Sequence, residues 1–377
     1  MDKTPKARAS VRIPPWSAWA TIGLALLLLG CQGDRTQSAL HPAGPAAEAV
    51  ARLWWVLLSV LGVYSLVVFV LTLFAIFHQP QSQPLSQSSD SSKRPVRDGK
   101  TFILIGGVVL PAFILVPLLL YSVSATAALR MRDSGLTIQV VGHRWWWEVV
   151  YQEQRIVTAN ELVIPVGEPV RLELTASDVI HSFWVPQLHG KTDMLPGQTT
   201  VSWLEASRPG IYRGQCAEYC GMQHAHMAFE VIALPPDDFV AWLNQHTSQS
   251  SIASIGGTAS MATKTPATAR ERVPSTPATA GEQAFFKHGC AVCHAIQGTQ
   301  AVGRAGPDLT LVAGRKALAA ATLPNTRDNL LAWLIDPQAF KPGVKMPPTH
   351  APVTEIEAIV DYLLSLDGGG ESLEFTP

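Results

Sequence analysis

Two apolar runs, Leu53 to Phe77 and Phe102 to Leu129, contain no charged residue. A helix needs about 20 mostly apolar residues to cross a bilayer, and each run exceeds that length. The pair therefore predicts a transmembrane hairpin. Between the runs lies HQPQSQPLSQSSDSSKRPVRDGK, a polar loop with Lys93, Arg94, Arg97 and Lys100 crowded against the second span. Cytoplasmic loops carry the excess of Lys and Arg, so this loop is expected inside and everything after Arg130 outside. The two spans also account for a charged fraction of only 15% in 377 residues. With a net charge of −1, nothing marks a nucleic-acid partner.

A shorter apolar run precedes them. Lys3, Lys6, Arg8 and Arg12 are followed by TIGLALLLLG, which ends at Cys31. A basic start before a short apolar core is the pattern of a secretion signal. Leu28-Leu29-Gly30-Cys31 resembles the lipobox of bacterial lipoproteins, which implies removal of residues 1–30 and lipidation of Cys31. An uncleaved anchor with an idle cysteine is the alternative.

The hairpin and its flanks occupy 31–130. From 131 to 246 the pattern is strand-like: Leu136, Ile138 and Val140 alternate, as do Val170, Leu172 and Leu174, followed by Val201, Trp203 and FEVIAL. Breaks at VGEP, MLPGQ and SRPG separate these runs, which predicts an antiparallel sandwich or barrel closed by a short helix, DDFVAWLNQ. Residues 247–280 are rich in Ser, Thr, Ala and Pro and predict a flexible linker, one that would let the following module search its neighbour's face. The last segment, 281–377, has the size of one small domain and ends in a helix carrying Ile356, Ile359, Val360, Leu363 and Leu364.

Cys216, Cys220, Cys290 and Cys293 would lie where disulfides can form. They fall instead into two tight pairs with histidine nearby, which suits cofactors better. CAVCH, Cys290 to His294, is a c-type haem attachment signature: both thiols reach haem vinyl groups and the adjacent imidazole reaches the iron. A zinc knuckle lacks ligands here, since only His288 and His350 remain. The order CxxCH, then GPDL at Gly306 to Leu309, then Met346 in FKPGVKMPP resembles class I cytochromes c. Met346 is the expected sixth ligand and His350 its competitor. Methionine ligation raises the potential and closes the iron, so this all-α domain should carry electrons.

The segment CAEYCGMQHAHM, Cys216 to Met227, concentrates sulfur and imidazole. A disulfide would leave the rest unexplained, and zinc has little use for thioethers. Thiolate, imidazole and thioether together favour copper. A mononuclear blue-copper site needs one cysteine, so the second thiolate points to a pair of metals. His181, in HSFWVP, stands at the end of an earlier strand.

GHRWWWE, HSFWVP, KTDMLPG and GQCAEYCGMQHAHM, together with the two spans, resemble subunit II of haem-copper oxidases. The resemblance implies a cupredoxin Greek-key barrel with a dinuclear copper A centre. Cys216 and Cys220 would bridge both coppers, His181 and His224 would bind one each, and Met227 and the Glu218 carbonyl would complete the set. The Glu218 side chain would join a magnesium site shared with subunit I, and Trp145 would be the point of electron entry. His226 and Met222 are not carried over. The fused haem domain narrows the resemblance to caa-type cytochrome c oxidases of the bacterial inner membrane, with the copper and haem domains on the periplasmic face. Expected partners are subunit I, subunit III, membrane lipid, and an external donor such as a cytochrome c or a quinol-cytochrome c reductase. Oxygen would be reduced to water in subunit I, coupled to proton pumping. One departure is the lack of any acidic residue from Thr101 to Leu129, where many family members carry a glutamate at a proton-channel mouth; Asp98 is nearest. The rivals are the electron-donating subunit of a copper A nitric oxide reductase and a free-standing membrane-anchored carrier.

Overall fold

The computed structural model describes residues 36–78, 97–127, 129–132, 134–254 and 279–366. The signal-like segment with Cys31, most of the basic loop and linker residues 255–278 lie outside the described residues.

Helix α1 spans Pro45–Phe77, with proline at the start, where its missing amide hydrogen breaks no helical bond. The second span is assembled from α2 (Arg97–Leu104), a π turn over Ile105–Val109 and α3 (Leu110–Ala127). The widened turn falls on Gly106 and Gly107, where helical preference is weakest. Both spans are long and apolar enough to cross a membrane. Side chains such as Phe69, Phe77, Phe102 and Phe113 stand exposed along them. So continuous an apolar surface calls for lipid or partner helices.

Helix α1 begins earlier than its apolar run because its first turns are fastened to the β domain. Ala43 and Ala47 donate amide hydrogens to the carbonyls of Gln187 and Leu188 at 2.7 and 3.2 Å. Gly44 makes this approach feasible, since a Cβ there would meet the Glu205 carbonyl oxygen at 2.2 Å.

The β domain follows as β1 (Leu136–His143), β2 (Trp146–Tyr151), β3 (Ile156–Ala159), β4 (Glu161–Pro165), β5 (Val170–Ala176), β6 (His181–Trp184), β7 (Thr192–Met194), β8 (Thr200–Leu204), β9 (Gly210–Cys216) and β10 (Ala228–Leu234). They form two five-stranded sheets, ordered β3-β2-β1-β5-β8 and β4-β10-β9-β6-β7. Two pairs, β1 with β5 and β4 with β10, are parallel. This corrects the expectation of antiparallel pairing throughout: period-two alternation reports which face is buried, whereas strands joined by long crossovers can pair in either direction. The inner faces bring Ile138, Val140, Leu172 and Leu174 together with Trp147, Phe183 and Phe229. Phe183 stacks on Phe229 at 4.6 Å between centroids, and Trp147 sits edge-on to Phe229 at 5.0 Å.

Helix α4 (Pro236–Ser254) is longer than the short closing helix expected. No glycine or proline interrupts the chain between Asp237 and Ser254, so nothing in that stretch breaks the helix.

The C-terminal module contains α5 (Ala280–Lys287), α6 (Cys290–Cys293), a two-residue ladder of β11 (Ala317–Leu318) with β12 (Leu323–Pro324), α7 (Arg327–Ile335), α8 (Pro337–Phe340) and α9 (Val353–Leu364). Thr279, Thr326 and Asp336 accept amide hydrogen bonds as side-chain N-caps of α5, α7 and α8. Helices α5 and α9 cross closely at Gly281, where a Cβ would lie 2.0 Å from the Ala358 carbonyl oxygen. Phe285, Ile356, Ile359, Val360 and Leu363 form the core at that crossing.

This module is seated against the β domain, whereas the linker's composition predicts one that searches. Leu311 joins the β-domain core. Across the boundary, Ala228 N–H donates to the Ala320 carbonyl at 3.3 Å, Arg213 donates to the Ala321 carbonyl at 3.2 Å, and Gln223 donates to the Pro342 carbonyl at 2.6 Å.

Candidate copper and haem sites

The first site forms where β6 begins, β9 ends and the loop to β10 turns back. His181, Cys216, Cys220 and Met227 are all buried, with His181 and Met227 fully enclosed. The Cys216 and Cys220 sulfurs lie 3.8 Å apart and both thiols are free. His181 Nδ1 is 3.8 Å from Cys216 Sγ, His224 Nδ1 is 3.6 Å from Cys220 Sγ, and Met227 Sδ is 3.7 Å from Cys220 Sγ. The Glu218 carbonyl oxygen is 3.2 Å from Cys216 Sγ. All six predicted ligands thus converge, with the two sulfurs at the centre and an imidazole on each side. His226 does not join them; its Nδ1 bonds Gln223 Oε1 at 2.8 Å. Met222 is exposed, with its sulfur beside Gly343 of the C-terminal module.

Electrostatics favour a cation here. The Cys220 thiol donates to Cys216 and outweighs burial, and His181 adds to the effect, so Cys216 is pushed down to about 3. Cys220 is raised in turn, because it keeps the proton the pair shares and is itself buried. The pair behaves as one titrating unit carrying a thiolate, the state a soft metal binds. His181 Nε2 meets Asp178 Oδ1 at 2.9 Å, which leaves Nδ1 turned to the sulfurs. Burial works against the Asp178 charge, but hydrogen bonds from His181 and from the Val179 and Arg144 amides hold its carboxyl below the usual range. Sequence reasoning missed Asp178, although an aspartate three positions before a ligand histidine was visible in SDVIH.

The second site is a cavity of about 710 Å³ bounded by Cys290, Cys293, His294 and Met346. That volume lies within the range of enclosed cofactor sites. His294 Nδ1 bonds the Pro307 carbonyl oxygen at 2.7 Å, so Nε2 is the nitrogen left for a metal. Burial holds His294 below its ordinary value, in the neutral form a ligand needs. Gly306 leaves room for the ring: a Cβ there would sit 2.6 Å from His294 Cε1. Arg315 is buried in the cavity wall, and its Nε has no partner among the described residues. A buried, unpaired guanidinium donor beside an empty volume fits an acidic group such as a haem carboxylate. His350 also lines the cavity. Met346 is held by a residue that sequence reasoning missed: Gln338 Nε2 donates to the Val344 and Met346 carbonyls at 2.9 Å each, and Gln338 Oε1 accepts from Gly343 N–H at 2.8 Å.

The three consecutive tryptophans separate in space. Trp147 enters the core, Trp146 stacks on His143 at 4.2 Å, and Trp145 turns toward the first site. Trp145 Nε1 donates to the Cys220 carbonyl oxygen at 3.1 Å. Trp145 also lines the haem-sized cavity, together with Arg144 and Trp146.

Together these features define a membrane-anchored electron-transfer protein in which a copper-type β domain and a cytochrome c domain share one wall. Residues 152–234 match the family described as cytochrome C oxidase subunit II, periplasmic domain, and residues 278–367 match cytochrome c. Cytochrome c oxidase subunit 2 of Alkalihalophilus pseudofirmus is 36% identical over 352 residues, covering 91% of this chain and 94% of that one. The protein of the same name from Bacillus sp. strain PS3 is 31% identical over 381 residues, covering 93% and 97%. Among solved structures, the periplasmic domain of subunit II of cytochrome oxidase of Bradyrhizobium japonicum is 28% identical, with a TM-score of 0.31, covering 32% of this chain and 99% of that one. The chain belongs to the cytochrome c oxidase subunit II family. Membership brings copper and haem c as cofactors and the catalytic subunit of a haem-copper oxidase as partner.

Proposed function

We propose that this chain is the electron-entry subunit of a caa-type cytochrome c oxidase. Electrons would arrive at the C-terminal domain from an external cytochrome c or a quinol-cytochrome c reductase and leave the β domain for subunit I. There oxygen would be reduced to water, with proton pumping. The observation that carries this reading is the position of Trp145, bonded to the Cys220 backbone on one side and facing the Cys290–His294 cavity on the other.

Bound at the two sites, a copper pair and a covalent haem would supply one-electron chemistry that no side chain here offers. The residues' own work is to hold and orient. Cys216, Cys220, His181, His224, Met227 and the Glu218 carbonyl would hold the copper pair, and Asp178 keeps His181 in one orientation. Cys290 and Cys293 would anchor haem c, and His294 and Met346 would hold its iron. With these residues as ligands neither site would offer a substrate position, so oxygen chemistry would belong to the partner. The Glu218 side chain is 44% exposed, with Lys191 3.9 Å away, a placement compatible with magnesium shared with subunit I. The remaining parts of the proposal are a two-span inner-membrane anchor, periplasmic domains, lipid on Cys31, subunit III as a further partner, and a proton-entry route that does not use a glutamate at the start of the second span.

Purification in mild detergent tests the whole. The expected result is a large polytopic partner, one haem c per chain and copper-dependent oxygen consumption. Nitric oxide reduction without oxygen consumption would place the chain in the rival reductase, and recovery without a partner would make it a free carrier.

A further inference from the structure

Lys341 belongs to the C-terminal module by sequence, yet only 2% of it is exposed. Its ammonium reaches into the β domain and meets three carbonyl oxygens: His226 at 2.8 Å, Ala319 at 3.0 Å and Trp145 at 3.1 Å. An ammonium has three protons, so every donor is used. Two of these carbonyls belong to the β domain and sit at its copper-type site. Trp145 carries the indole bonded to Cys220, and His226 directly precedes Met227. No carboxylate pairs with Lys341 among the described residues; its partners are the three carbonyl oxygens.

A buried cation without a carboxylate is costly, and the burial persists only where its surroundings define it closely. The facing loop shows the same insistence. Ala319, Ala320 and Ala321 all have positive φ, at 54°, 59° and 55°, a conformation that non-glycine residues rarely adopt. This turn aims its three carbonyls at Lys341 Nζ, at the Ala228 amide and at the Arg213 guanidinium. Lysine and loop together form a lock between the modules, placed on the residue that both sites share.

Resting on the two-centre reading above, we propose that Lys341 is a positioning residue for internal electron transfer: it locks the haem module onto the Trp145 and His226 backbone and, as an ammonium, sets a positive charge beside the copper centre. One electron crosses per event, and no bond is made or broken. The lock holds the two sites at one separation, so transfer does not wait for a search. The charge stabilises the less positive, reduced copper centre and so raises its potential.

The test uses the full chain, with Lys341→Met to remove the charge and every donor and Lys341→Gln to remove the charge while keeping two amide donors on a shorter side chain. In metal-free protein, amide exchange reads the lock at Ala228, whose hydrogen bond crosses the boundary. The Met variant should lose about tenfold or more of its protection there, the value of one buried charge-assisted contact; the Gln variant should lose less. In the loaded oxidase, haem-to-copper transfer after flash reduction should slow about tenfold or more in the Met variant, as for any misplaced reacting pair. In both variants the copper reduction equilibrium should fall about tenfold, near 59 mV for one electron. Unchanged protection or unchanged transfer in Lys341→Met overturns the lock, and an unshifted copper potential in Lys341→Gln overturns the charge. Missing copper or haem spectra in the unmutated chain would instead sink the two-centre reading.

Discussion

Trp145 donates its indole hydrogen to the carbonyl oxygen of Cys220 at 3.1 Å. The contact ties an aromatic ring just before β2 to the loop that carries Cys220 and Met227, 75 positions later. Replacing Trp145 with Phe keeps an apolar ring but removes the donor. Transfer from haem to copper should slow about tenfold to 100-fold, the range for a displaced reacting pair. Copper and haem absorption should keep their wild-type form. Flash-induced kinetics read the rate, and an unchanged rate would show that electrons take another path.

Cys216→Ser should abolish copper binding, because a neutral hydroxyl cannot bridge soft metals as a thiolate does. The haem spectrum should persist, since Cys290 and His294 are untouched. Asp178→Ala is the graded version. Without the carboxylate on Nε2, His181 loses its fixed orientation, and copper affinity should fall about 10–100-fold. Copper titration followed by its visible absorption distinguishes the two.

Met346→Ala should leave haem covalently attached, lower its potential and open the iron to carbon monoxide. Gln338→Ala should reproduce part of this, because Gln338 holds the Val344 and Met346 carbonyls in place. A Gln338→Ala spectrum with intact methionine ligation across the whole pH range would show that the loop holds itself. An unchanged potential in Met346→Ala would make His350 the sixth ligand.

Glu161 lies at the boundary, with Oε1 accepting the Lys316 amide at 2.5 Å. Burial, partly offset by the Lys316 amide and by Arg315, raises its carboxyl from 4.5 to about 7. A raised carboxyl stabilises the docked state below pH 4.5, and the benefit is lost as pH rises through 7. Docking, read as amide protection at Ala228, should therefore weaken between those values. Lys341, lowered by burial from 10.5 to about 7, adds no slope below pH 7 and opposes the trend above it. Glu161→Gln should flatten the lower limb. A slope that survives this substitution would assign the effect to another group.

The sequence by itself marked the two spans and both cofactor motifs, because those depend on local spacing; the full ligand set came only from the family resemblance, and His181 joins Cys216 across 35 positions. Cys216 to Cys220, the CAVCH run and a charge-free stretch mean the same thing wherever the rest of the chain lies. The Trp145–Trp147 row was ambiguous, since three equal side chains carry no mark of which faces the core. Strand direction was misread because alternation encodes faces and not partners. The seating of the haem module was not legible at all. It rests on Lys341, Glu161 and Arg315, charged residues that elsewhere face solvent, and on carbonyls that carry no sequence signature. Lys341 and Trp145 meet across 196 positions. Only tertiary structure brings such groups together, because burying a charge pays off solely where the folded chain has already gathered the partners to receive it.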